Sequence, residues 1–230
     1  MNIVDLKQRI QSVAKSSFSL KLLYALGKKR PIVPNNLGMA FFQETSTWHF
    51  NPQRCPCDVH FVEYIREFEI NGKNIFHFGT GEHHFIGLEN QKFTQPNEII
   101  GITASALEQK SYIKLVIKDS SLSKFYKVIF GDIYTLTPRN LPMFDIVTLF
   151  HLCEFYIPEN AHLLHQNDES LLQLFLDKLN PGGQIIFYTG SFAWNKTQAI
   201  IESFVELGKI KKMYEYQTLV IYSKTENFKL

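Results

Sequence analysis

Apolar positions recur along this chain in two rhythms. Ile3, Leu6, Ile10 and Val13 follow helical spacing, so residues 1–16 predict an amphipathic helix with one apolar stripe. "SFSLKLLYALGKK" continues with a second helical pattern that stops at Gly27, and the two prolines of "RPIVPNN" predict a loop after it. "TWHFNPQRCPCD" reads as irregular chain rich in aromatic residues and proline. Asp58 is then expected to cap a helix over "VHFVEYIREFEI", whose Phe61, Tyr64, Ile65 and Phe68 share a face, with Asn71-Gly72 ending it.

Beyond that point the rhythm changes. The short apolar runs "NIFHF", "NEIIGIT", "YKVIFGD", "FDIVTLF" and "GQIIFYTG" predict strands, and the longer segments between them read as mostly helical. Apolar runs of this kind suit strands buried on both faces, the pattern of a parallel sheet flanked by helices. "TQAIIESFVELGK" predicts a further helix. "IKKMYEYQ" and "TLVIYSKT" follow too closely for a crossover helix between them and predict an antiparallel hairpin at the sheet edge. The expected organisation is a helical extension over residues 1–57, a candidate lid, followed by an α/β domain over 58–230.

Composition narrows the partners. A chain of 230 residues, 45% hydrophobic and 20% charged, is long enough to bury a proper core. The formal charge is only +2, so no broad field favours nucleic acid or an anionic membrane as partner, and a small-molecule substrate is expected instead. The amino-terminal stretch interleaves charge with apolar residues, unlike a secretory signal, and no segment has the run of about 18–20 apolar residues that spans a bilayer. Three cysteines argue against a disulfide framework, and a cytoplasmic location is expected.

Five parallel strands, the glycine turn after the first of them and the terminal hairpin resemble the class I S-adenosylmethionine-dependent methyltransferases over about residues 58–224. That family follows its first strand with an acidic-x-G-x-G-x-G loop; the matching residues are His77, Phe78, Gly79, Thr80, Gly81, Glu82 and His83. Gly131-Asp132 matches the end of the family's third strand, "FDIVTLFHLCEF" is similar to its fourth, and "LLQLFLDKLNPGGQIIFYT" resembles its helix, L-x-P-G-G turn and fifth strand. The resemblance implies a Rossmann-like fold with helices on both faces of the sheet, S-adenosylmethionine as cofactor, and methyl transfer to a small acceptor.

It also implies a site. Gly79 and Gly81 would let a ligand approach the backbone, with Thr80 and Glu82 beside them. Asp132 is expected near the adenine. Thr103 stands where the family has the acid that holds the ribose, and His77 where it has the first-strand acid. His151, just after the fourth strand and of near-neutral ordinary pKa, is the candidate general base, with Glu154 to orient it or to contact substrate. The aromatic residues Phe42, Trp48, His49 and Phe50 are candidates for a lid. Two other readings stay open: a non-catalytic relative that only binds, and a metal-dependent enzyme built on His77, His83, His84 and His151. Cys55, Cys57 and His60 form a C-x-C-x-x-H group that falls one ligand short of a zinc site.

Overall fold

A computed structural model describes residues 47–225, all within one compact unit, Asn35–Leu230. The helices expected over residues 1–29, the loop after them and Phe42 lie outside the described residues.

The first described helix, α1 (Cys57–Glu67), precedes the strand β1 (Asn74–Phe78). Its N-cap is Pro56, so the cap expected at Asp58 is corrected: Asp58 sits inside the first turn, buried, with no capping bond. The other end differs too, because the helix stops at Phe68 and the left-handed residue that turns the chain is Glu69, at φ +50°, ahead of Asn71-Gly72. A short helix α2 (Phe85–Asn90) leads to β2 (Glu98–Thr103); α3 (Ala106–Lys118) and α4 (Leu122–Phe125) lead to β3 (Tyr126–Phe130).

The segment from β3 to β4 (Phe144–Thr148) holds only the 3-10 turns Ile133–Thr135 and Pro138–Asn140, where a helix was expected. Pro138 and Pro142 remove backbone donors in so short a stretch, which leaves no room for a helical ladder. The chain then passes a 3-10 turn (Pro158–Leu163), α5 (Asp168–Asp177), β5 (Leu179–Tyr188) and α6 (Trp194–Glu206) to the hairpin β6 (Ile210–Tyr216) and β7 (Leu219–Lys224).

The strands form one sheet in the order β3-β2-β1-β4-β5-β7-β6. The pairings among β1 to β5 are parallel, while β7 runs antiparallel to both β5 and β6. Side chains alternate across this sheet as the strand period demands, and both faces are covered. Phe76, Val147, Ile185 and Phe187 face one core with Leu172 and Phe175 of α5; Ile75, Ile146 and Ile186 face the other with Phe61 and Ile65 of α1. The Leu179–Gly183 turn expected ahead of the last parallel strand lies within β5 as an irregularity. Phe144 pairs with Leu179 and Ile146 with Gln184, so the intervening residues loop out against β4. Asp145 secures this loop by accepting from Asn180 Nδ2 at 2.9 Å and from the Asn74 amide at 2.9 Å.

The feature that positions the site is the reversal of strand order at β1. The chain winds outward through β2 and β3, returns, and continues on the other side through β4, which opens a crevice beyond the carboxyl ends of β1 and β4.

Candidate functional site

A cavity of about 450 Å³ lies in that crevice, within the usual size range of small-molecule sites. Its floor comes from the ends of β1 and β2 and the turns after them, including Phe78, Gly79, Gly81, Ile102 and Thr103. Trp48, Phe50 and Cys55 from the segment before α1 form one side, and Glu154, Phe155 and Phe192 another.

The glycine turn has the backbone its sequence predicts, but imidazole rings cover it. Gly79 is left-handed at φ +92°, and a Cβ there would stand 2.7 Å from His151 Cδ2. Gly81 is left-handed at φ +55°, and a Cβ there would collide with the His83 ring. Both glycines thus create room that His151 and His83 use. His83 takes the place of a third glycine, accepts from the Phe85 amide at 3.2 Å and meets Phe50 edge to face. The other predicted turn residues face elsewhere. Thr80 is buried against Gly101, outside the cavity wall, and its hydroxyl has no partner among the described residues; Glu82 pairs with His49 and ties the 48–50 segment down through its amide, which donates to Trp48 O at 3.0 Å.

At the end of β2, Thr103 reaches the cavity and brings a carboxylate that sequence reasoning missed. Its hydroxyl donates to Glu108 Oε2 at 2.5 Å, while Glu108 Oε1 accepts from the Trp48 amide at 3.1 Å. Glu108 is buried on the cavity wall, and burial raises its pKa. The signal for it was present: Ser105-x-x-Glu108 has the spacing of a helix capping box, and Ser105 does accept from the Glu108 amide. The return bond is absent because the Ser105 amide donates to Thr103 instead, which frees the Glu108 carboxylate to turn inward. Asp132 is buried away from the cavity wall and accepts from the Tyr134 amide at 2.9 Å, capping the 3-10 turn after β3.

The remaining histidines separate into distinct roles. His77 is buried behind the turn, bonded through Nδ1 to Thr148 at 2.8 Å, while its Nε2 lacks a hydrogen bond among the described residues and lies 4.0 Å from Asp58 Oδ1. Burial, with His151 nearby, holds its pKa down at about 3, so the ring is neutral. Asp58 Oδ2 lies 3.8 Å from His83 Nδ1, and burial lifts this carboxyl to about 7. His84 faces Tyr126 and the Glu108 carbonyl, and His60 bonds Thr218. Among the described residues no three His, Cys, Asp or Glu side chains converge as metal ligands.

His151 and Glu154 do come together on the cavity wall. His151 Nδ1 lies 3.2 Å from Glu154 Oε2, and Glu154 Oε1 accepts from Ser191 at 2.6 Å, a partner that sequence reasoning did not identify. Burial pushes the His151 pKa down, but the Glu154 carboxylate and nearby Cys55 and Asp58 outweigh it and leave the imidazole raised. Glu154 is lowered: burial opposes its charge, and His151 with Ser191 favours it more strongly. The two shifts agree in describing a histidine held ready to carry a proton by an ionised carboxylate.

No protein-family model and no curated protein sequence matches this chain. Solved structures do. A Staphylococcus aureus protein provisionally assigned as a caffeoyl-CoA O-methyltransferase is similar at TM-score 0.56 and 11% identity, with 97% of each chain covered. Magnesium protoporphyrin IX methyltransferase from Synechocystis PCC 6803 matches at TM-score 0.52 and 9% identity, over 78% of this chain and 87% of that one. The [4+2]-cyclase SpnF matches at TM-score 0.50 and 16% identity, over 90% of this chain and 73% of that one. Identities this low establish the architecture alone. With its strand order, antiparallel carboxy-terminal hairpin and crevice at the β1 turn, the chain has the Rossmann-like fold of the class I S-adenosylmethionine-dependent methyltransferases.

Proposed function

We propose that this protein transfers a methyl group from S-adenosylmethionine to a small-molecule acceptor. The observation that carries the reading is the His151–Glu154–Ser191 chain placed on the wall of the same cavity as the left-handed glycine turn and the buried Glu108. The Synechocystis methyltransferase, which has S-adenosylmethionine bound, supports it by likeness of fold.

The residues present fit that cofactor. Gly79 and Gly81 keep Cβ atoms out of the turn at positions where one would fill space, and Glu108, with Thr103 behind it, supplies a carboxylate for ribose hydroxyls at the end of β2. Asp58, from α1, stands near His77 and would face the ammonium group in place of the missing first-strand acid. Ile102 and Ala104 give the wall an apolar patch. When bound, the cofactor supplies an electrophilic methyl group on a sulfonium.

The rest falls to the protein. His151 accepts the proton that a hydroxyl or similar nucleophile must lose, through the ring nitrogen turned away from Glu154. Glu154 fixes the imidazole through Nδ1 and stabilises its charged form, and Ser191 holds the carboxylate in place. Trp48, Phe50, Phe155 and Phe192 enclose the acceptor and exclude water, which favours an acceptor with an apolar or ring-containing part.

Calorimetric titration with S-adenosylhomocysteine tests the reading. Saturable binding that weakens in Glu108→Gln is expected; absence of binding at millimolar ligand would remove it. One observation favours a second reading, a fold retained for binding without methyl transfer: the rings of His151 and His83 already occupy the space over both glycines. Binding of some other small molecule in the same cavity, with S-adenosylhomocysteine ignored, is its expected signature.

A further inference from the structure

The start of α1 and the two residues before it carry a pair of thiols that methyl transfer does not use. Cys55 Sγ and Cys57 Sγ lie 3.4 Å apart, already in contact, on either side of Pro56, and both belong to the cavity wall. Cys55 is partly accessible and Cys57 is buried. Cys57 is the first residue of an α-helix of 11 residues, so both sulfurs stand near the positive end of its dipole. The Cys57 thiol also lies 3.6 Å from Asp58 Oδ1, a proton acceptor beside the more deeply placed sulfur. The third cysteine, Cys153, lines the same cavity, and its amide donates to Asp168 Oδ1 at 3.1 Å.

We propose that Cys55 and Cys57 form a redox-active dithiol that exchanges with small disulfides and closes to a Cys55–Cys57 disulfide in the cavity wall. Cys55, as thiolate, attacks one sulfur of a disulfide R–S–S–R, forms a mixed disulfide and releases one thiolate. Above about pH 7, where Asp58 is ionised, Cys57 gives its proton to the Asp58 carboxylate and attacks Cys55 Sγ, which expels the second thiolate. The protein loses two electrons and two protons, and the small disulfide is reduced to two thiols. The hydrogen bond from Cys57 holds the Cys55 pKa down at about 6, which suits Cys55 as the attacking group, while Cys57 is raised, first by its bond to Cys55 and then by burial, and suits the resolving role.

The test is incubation of the native chain with oxidised glutathione, followed by alkylation of remaining thiols, trypsin digestion and mass spectrometry. Cleavage after Arg54 and Arg66 places both cysteines on one peptide, so closure leaves that peptide unalkylated and lighter by two hydrogens. Cys57→Ser should instead keep one glutathionyl group on Cys55. Cys55→Ser should slow the reaction at least tenfold, and Cys153→Ser should react as the parent does. A bridge that maps to Cys153 or between two chains, a stable adduct without closure in the parent, or no reaction would overturn the proposal. The readout in the unsubstituted chain does not depend on any variant folding, nor on methyl transfer.

Discussion

At the scale of single residues, the informative groups are the two buried carboxyls of the cavity wall. Burial raises Asp58 from 3.8 to about 7, so the folded protein keeps a proton there that the unfolded chain releases above about pH 4. Its contribution to stability is complete at low pH and is lost as pH rises toward 7. His77, lowered to about 3, acts oppositely: the unfolded chain binds a proton the folded chain refuses, and stability grows between about pH 3 and 6.5. The two contributions offset each other. Asp58→Asn removes the first, so relative to the parent its stability should climb between pH 4 and 8, by a ceiling of about 4 kcal/mol, in urea unfolding measured across that range. Parallel curves for the two proteins would contradict the assignment. Glu108 makes a separate prediction, since its oxygens serve the Trp48 amide and the Thr103 hydroxyl. Glu108→Ala should cost about 2–3 kcal/mol in unfolding, while Glu108→Gln keeps an acceptor, costs less than that, and weakens S-adenosylhomocysteine about tenfold in titration.

At the scale of elements, the turn between β1 and α2 decides the site. Gly79→Ala would force a side chain into a left-handed backbone and against the His151 ring, at a cost of about 2 kcal/mol in thermal or chemical unfolding and with loss of ligand binding. Gly131→Ala, at the end of β3, meets open space among the described residues and has no left-handed φ, so it should stay within about 0.5 kcal/mol of the parent. The same turn shows where sequence reading stops. "GTGEHH" predicts the glycine backbone correctly, because φ preference is a local property. It does not predict that His151, which is 72 residues after Gly79, lies across Gly79, because that contact depends on how β4 pairs with β1. The helix α1 gives a similar lesson. Its apolar face over Phe61, Tyr64 and Ile65 was legible from spacing, whereas the local preference of aspartate for a cap gave way at Asp58 to packing against His77 and His83.

At the scale of the whole molecule, the proposal predicts a ligand-linked change in stability. S-Adenosylhomocysteine at about one hundred times its dissociation constant should stabilise the protein by about 2.7 kcal/mol, seen as a rise in Tm. His151→Gln should keep that rise and lose about 100- to 10,000-fold in turnover of an acceptor, because it removes proton transfer and leaves the glycine turn in place. Loss of both together would place His151 in binding instead. Among the described residues no helix is long and apolar enough to cross a membrane.

The sequence by itself determined the parallel strands, their crowded apolar character and the closing hairpin, since these follow from local periodicity and from spacing too short for a crossover. It also determined the glycine turn and the nearness of Glu154 to His151, three positions apart. Tertiary structure alone decided the electrostatics of the site. It turned Glu108 inward to the end of β2, buried Asp58 beside His77, sent Asp132 to cap a turn, brought Ser191 to Glu154 and set the Cys55 and Cys57 sulfurs in contact on a cavity wall. A charge or thiol is not specified by the rhythm of apolar positions. Its burial, and for Asp58 and Glu154 its partner as well, is set by chain segments far away in sequence, and these come together only when the sheet is assembled.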